Sequence, residues 1–182
     1  QQKTYKHPMP EKKPNHVPPF TPKIWMRNPI MQNMAGAFVD FKSPIKTNEL
    51  ENEIITLPDN DSIEICHYAH DPTKAKPIAL LLPGIQGVYL NKPLLALANE
   101  LKSQWHVIIM QYRGCSDASI MEQKFPFIGD YSDLFFLYKT IQKRYENRPI
   151  AAMGTSFGGN LLLSLLAHHP ETKLLCAATT ST

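Results

Sequence analysis

The sequence predicts an α/β fold, a mostly parallel sheet with helices on both faces. From Ile78 onward, short apolar runs of strand length alternate with longer segments of helix length, the order that βαβ units impose. Lys76 to Gly87 (KPIALLLPGIQG) is a buried-strand pattern that ends in a glycine-containing loop. A short apolar strand also runs through Gly154-Thr155-Ser156-Phe157-Gly158 straight into an apolar helix.

Along the chain, residues 1–24 read as an extended basic, proline-rich arm, and residues 25–182 as part of a single domain. Seven of the 16 prolines fall within the first thirty residues, and only one of the 8 glycines precedes Gly84. Such a stretch cannot bury enough apolar surface to offset its ordering entropy. Strands are expected at 53–57 and 62–68, joined as a hairpin by the turn formers Pro58-Asp59-Asn60-Asp61. A strand at 78–82 leads to a helix at 92–103, a strand at 106–111 and a helix at 131–145. A strand at 150–153, a helix at 157–168 and a strand at 174–179 complete the reading. The active site of such a sheet lies beyond the C-terminal ends of its strands, and no internal repeat is visible.

Residues 154–158 carry the most chemistry. A serine at a sharp strand-to-helix turn takes unusual backbone angles and sits in tight packing. The positions two before and two after it must therefore be small, as Gly154 and Gly158 are. The hydroxyl is then held above the sheet edge, beside the first-turn N–H groups and positive dipole end of the following helix. Both suit a developing oxyanion, and Phe157 N–H is the first expected donor. The competing reading is a tight Gly-Ser turn without chemistry; a strand before and a helix after favour the elbow.

The second donor is expected in the loop after the third strand. Pro83 has no N–H to give, so Ile85, after Pro83-Gly84, is the expected position. Taken alone, Gly84 and Gly87 could equally turn the chain between strand and helix; the downstream elbow favours the catalytic reading.

Four segments resemble the YheT-like family of the α/β-hydrolase superfamily, which is related to ABHD esterases and lipases. Arg27-Asn28-Pro29-Ile30-Met31-Gln32-Asn33 is similar to that family's Asn-Pro-His-Leu-Gln-Thr, and Pro83-Gly84-Ile85-Gln86-Gly87 to its His-Gly-Leu-Glu-Gly. Tyr112-Arg113-Gly114-Cys115-Ser116 is similar to its Phe-Arg-Gly-Cys-Ser-Gly; Gly154-Thr155-Ser156-Phe157-Gly158-Gly159-Asn160 completes the set. Pro83 and Ile30 stand where histidine is usual, and Asp117 where the last glycine is expected. The resemblance implies an α/β-hydrolase fold and a serine hydrolase acting on a small-molecule or lipid ester.

The 182 residues can bury one core and make a single domain. Of 19 Lys and Arg and 16 Asp and Glu, residues 1–50 hold eight and three, so the net charge of +3 comes from the arm. A basic arm could touch anionic lipid or nucleic acid. Its Lys and His are spread among prolines without aromatic interleaving, which favours a solvated extension. No nucleic-acid partner is expected, peripheral membrane contact stays open, and the oligomeric state is unknown. No apolar run approaches the roughly 18 residues of a bilayer span, and no signal-peptide core stands near the start. The protein is therefore expected to be cytoplasmic, with Cys66, Cys115 and Cys176 as reduced thiols. Cys115 has no histidine near it in sequence and reads as structural or pocket-lining rather than reactive. The histidines form no ligand spacing, so neither a metal nor a cofactor is expected.

A serine needs a general base, usually histidine, oriented by a carboxylate, in the chain order serine, acid, histidine. After Ser156 only His168, His169 and Glu171 are available. The histidines lie twelve and thirteen residues along the expected helix, about 18 Å from the serine at 1.5 Å per residue. They read as residues favoured by the helix C-terminus, with Pro170 as its stop. The triad Asp and His are thus expected to be absent from this chain, along with the C-terminal strands and lid, and little activity is expected of it alone. Gln1 in place of methionine suggests a trimmed start.

The expected function is carboxylic ester hydrolysis through an acyl-enzyme on Ser156, with Ile85 and Phe157 N–H groups holding the oxyanion. A catalytically silent remnant or interaction domain is the alternative from another class. Acyl transfer to an acceptor other than water is a further one.

Overall fold

The computed structural model of the protein describes residues 21, 24, 27–31, 49–68, 71, 76–85, 92–116, 127–146 and 148–181. The chain divides into two compact units, Gln1–Asp40 and Phe41–Thr182. In the first, Asn28 Oδ1 accepts the N–H of Ile30 at 2.9 Å. Asn28 thereby caps a helical turn whose first position is Pro29, a residue whose missing N–H costs nothing there. The arm expected over 1–24 lies, apart from residues 21 and 24, outside the described residues.

The second unit holds six described strands and three helices: β1 (Leu50–Thr56), β2 (Ser62–Tyr68), β3 (Ile78–Leu82), α1 (Lys92–Leu101), β4 (His106–Gln111), α2 (Ser132–Arg144), β5 (Ile150–Thr155), α3 (Phe157–His168) and β6 (Cys176–Thr180). The sheet order is β1-β2-β4-β3-β5-β6. β1 pairs antiparallel with β2, and β2 with β4; β4, β3, β5 and β6 run parallel. The expected fold class is what the chain adopts.

Three strand limits differ from expectation by two or three residues, for identifiable reasons. β1 begins at Leu50 rather than 53, because Leu50, Glu51 and Asn52 pair with Tyr68, His67 and Cys66 although they carry no apolar pattern. β5 runs on to Thr155, since Gly154 and Thr155 still pair with Thr179 and Thr180. β6 starts at Cys176, not 174. Leu174 instead packs against the core, and the N–H of Leu175 reaches Ile150 O at 2.7 Å. β6 is an edge strand with all five residues exposed.

Side-chain alternation divides the interior into two cores, which is why helices cover both faces. Ile78, Leu80, Leu82, Ile108 and Met110 face Leu134, Leu137 and Ile141 of α2 and Leu161, Leu162 and Leu165 of α3. Ala79, Leu81, Val107 and Ile109 face Leu94, Leu95 and Ala98 of α1.

Polar clasps hold both ends of the sheet. After β4, Arg113 makes a two-pronged contact with Asp133, at 2.8 Å from Nε and 2.6 Å from Nη2. Its Nη1 reaches Asp59 at 2.8 Å and Asp61 at 3.3 Å in the β1–β2 turn. The hydrogen bonds to Asp133 hold the guanidinium above its usual pKa, against the cost of burial. At the opposite edge, His106 Nε2 lies 3.0 Å from His67 Nδ1, and His67 Nε2 lies 3.0 Å from Glu53. Arg144 closes this chain on the same Glu53 oxygen at 2.6 Å. Among the described residues no helix is long and apolar enough to cross a membrane, and no three His, Cys, Asp or Glu could hold a metal ion.

Candidate active site

Ser156 forms the junction of β5 and α3 with φ 51° and ψ −115°. An L-residue pays for such angles, and only a tightly determined surrounding keeps them. The surrounding is backbone. A Cβ at Gly154 would lie 2.5 Å from Gly158 O and 2.6 Å from Gly159 Cα; one at Gly158 would lie 2.5 Å from both Leu82 O and Pro83 O. No side chain can move aside there, so both positions require glycine. The N–H of Ser156 is tied to Thr180 O at 2.8 Å, and its carbonyl accepts the N–H of Asn160 at 2.9 Å. The half-buried Ser156 thus stands on a fixed turn above the C-terminal end of β5.

The loop after β3 meets this turn from the side. Gly158 N–H donates to Pro83 O at 3.1 Å, and a Cβ at Gly84 would be 3.6 Å from that of Ser156. Ser156, Phe157 and Ile85 therefore line one cavity of about 250 Å³, together with Ile128, Asn160 and Ser181. The structure brings together every site residue expected from the sequence: Ser156, Ile85 and Phe157 at the cavity, with Gly154 and Gly158 beneath it.

The sequence reading did not single out three features. Asn160 Oδ1 accepts the N–H of Gly129 at 3.0 Å, which brings the 127–130 loop to the helix and Ile128 to the cavity. Ser181 reaches the same space from the end of β6. The Tyr112 hydroxyl, after β4, donates to Pro83 O at 2.7 Å. For Tyr112 and Asn160 the only signal was their place inside motif segments; Ser181 and the 127–130 loop had none. Ile85, Phe127 and Ile128 are 61%, 80% and 79% exposed, so the approach to the cavity is apolar.

Among the described residues, four histidines have their places elsewhere. His106 is level with Ile78 of β3, itself level with Ile150 of β5. Six residues of strand, about 20 Å at 3.3 Å each, separate Ile150 from Ser156; His67 hydrogen-bonds His106 at the same end. His168 Nδ1 lies 2.8 Å from Ser164 O, and its ring stacks on Tyr131 with centroids 5.0 Å apart. His169 stacks on Phe135 at 3.9 Å and contacts Glu171 at 2.9 Å. These last two close the C-terminus of α3, as expected. Cys115 is half-buried and burial pushes its thiol up, the opposite of an activated thiol.

The fold is shared by a large group of solved proteins. An α/β hydrolase from Novosphingobium aromaticivorans superposes with a TM-score of 0.52 at 25% identity, over 72% of this chain and 44% of that one. In sequence, "Putative esterase YheT" of Escherichia coli is 31% identical over 117 residues, 62% of this chain and 34% of that protein. The chain has the α/β-hydrolase fold, and its sequence is similar to that of YheT. The monoacylglycerol lipase of Saccharomyces cerevisiae is 26% identical over 123 residues, 63% of this chain and 27% of that protein. The chain thus spans about a third or less of these two curated relatives. No protein-family model matches it.

Proposed function

We propose that this chain carries the nucleophile and oxyanion hole of a serine hydrolase that cleaves carboxylic esters. Ser156 attacks the ester carbonyl while the N–H groups of Phe157 and Ile85 hold the oxyanion; the ester C–O bond breaks, the alcohol leaves with the serine proton, and water then cleaves the acyl-serine to the carboxylic acid and free Ser156. The observation that carries this is the strained turn at Ser156, with both donor residues lining its cavity. Strain at a site otherwise determined by backbone packing is a mark of function rather than of folding. The names of the relatives, an esterase and a monoacylglycerol lipase, agree with an ester substrate. The exposed Ile85 and Ile128 support an apolar acyl group.

The base and its orienting carboxylate are assigned to residues outside those described here. Without a base, the oxyanion hole and binding alone give about a thousandfold to ten-thousandfold over water. A cytoplasmic location belongs to the same proposal, on the ground of the free thiols at Cys66, Cys115 and Cys176.

A fluorophosphonate probe tests the nucleophile. The complete protein should be labelled at Ser156, located by peptide mass spectrometry, and Ser156→Ala should abolish labelling. Labelling that survives Ser156→Ala refutes the assignment. A correctly folded complete protein that takes no label supports the reading in which the elbow persists as architecture only.

A further inference from the structure

The second oxyanion donor stands one residue beyond a joint that steric packing does not fix. A Cβ at Gly84 would meet only ordinary contacts, 3.6 Å to Ser156 Cβ and 3.7 Å to Thr155 O. Glycine itself has access to more backbone angles than any other residue. The Ile85 N–H can be no better placed than the peptide before Gly84, from which that joint starts.

That peptide is held through its carbonyl. Pro83 O accepts the Gly158 N–H at 3.1 Å and the Tyr112 O–H at 2.7 Å, which occupies both of its lone pairs. In a trans peptide the carbonyl and the following N–H point in opposite directions. Anchoring Pro83 O therefore sets where the chain leaves toward Gly84 and Ile85. Of the two donors, the Gly158 amide belongs to α3, while the Tyr112 hydroxyl arrives from the end of β4 and ties the loop to a different element. Tyr112 is 1% exposed, and burial raises its pKa, so the hydroxyl keeps the proton it donates. Its ring also meets Phe157 edge-on, with centroids 5.2 Å apart at 90°. One side chain thus touches both flanks of the site.

We propose that Tyr112 is a positioning residue for the oxyanion hole: its hydroxyl clamps the Pro83–Gly84 peptide against the Ser156 turn and so fixes the point from which the loop carrying the Ile85 N–H departs. This rests on the reading of Ser156 as the nucleophile.

Tyr112→Phe in the complete protein tests it, because phenylalanine keeps the ring and its contact with Phe157 and removes only the donor. Amide hydrogen exchange at Gly84, Ile85 and Gly158 should quicken about tenfold, the share of one neutral buried hydrogen bond. Fluorophosphonate labelling of Ser156 and kcat on a short-chain nitrophenyl ester should fall by about the same factor, with KM unchanged. Tyr138→Phe is the control. That hydroxyl is also buried and accepts the Lys173 N–H at 2.9 Å away from the site, so its loss should lower the urea midpoint without changing labelling. Unchanged exchange in Tyr112→Phe overturns the clamp whatever Ser156 does. Faster exchange with undiminished labelling and kcat overturns its part in catalysis. Failure of the Ser156 reading shows separately, as labelling that persists in Ser156→Ala.

Discussion

Replacing Ser156 by glycine separates the chemistry of this position from its backbone cost. At φ 51° and ψ −115° the residue occupies the angles of the first central position of a type II′ turn, where glycine is the natural occupant. Holding a side chain there costs about 1–3 kcal/mol. The greater freedom of glycine in the unfolded chain offsets about 0.5–1 kcal/mol of the relief. Ser156→Gly should therefore be more stable than the parent by about 1 kcal/mol, the balance of these two effects. Ser156→Ala also lacks the hydroxyl but keeps a Cβ and hence the strain. The pair of variants isolates the backbone contribution: glycine should exceed alanine by about 1 kcal/mol, the reverse of their order in a helix. Urea unfolding followed by circular dichroism measures the difference. In thermal scans it amounts to about 2–4 °C for a domain of this size class. Neither variant should react with the fluorophosphonate. An alanine variant as stable as the glycine variant, or more so, would refute the claim that strain is stored at Ser156.

Arg113→Ala should destabilise by about 3 kcal/mol in urea, because it removes the guanidinium that neutralises the buried carboxylates of Asp61 and Asp133. Arg113→Lys should recover only part of the loss, since an ammonium cannot reproduce the two-pronged contact. The Glu53 carboxyl is held below its ordinary value of 4.5, first by its hydrogen bond from Arg144, so its stabilisation is present above pH 4.5 and disappears as pH falls through the lower folded value. Glu53→Gln should be less stable at pH 7 and lose less stability than the parent between pH 4.5 and 3. Burial pushes the Cys66 thiol up to about 12, whereas Cys176 is exposed. Iodoacetamide at pH 8 should modify Cys176 first, the half-buried Cys115 more slowly, and Cys66 only on unfolding, as peptide mass spectrometry would show.

The sequence by itself determined the elements and their class, because both are local properties. Apolar runs of strand length, the Pro58 to Asp61 turn and the glycines flanking Ser156 constrain the backbone over a few residues. Their consequences, from the β1–β2 hairpin to the junction of β5 with α3, were legible before any contact was known. The donor candidates Ile85 and Phe157 were legible for the same reason, each lying at a fixed offset from a turn. Where a strand limit depended on a partner, local reading failed: Glu51 and Asn52 are strand residues only because β2 lies beside them. The tertiary structure alone decided which distant residues converge on the cavity. That Asn160 holds Gly129, that Ser181 lines the same space as Ser156, and that the Tyr112 hydroxyl reaches Pro83 across 29 residues depend on sheet order and on which face each helix covers. Such contacts leave no period in the sequence, because each is a meeting of single side chains whose positions are set by the packing of everything between them.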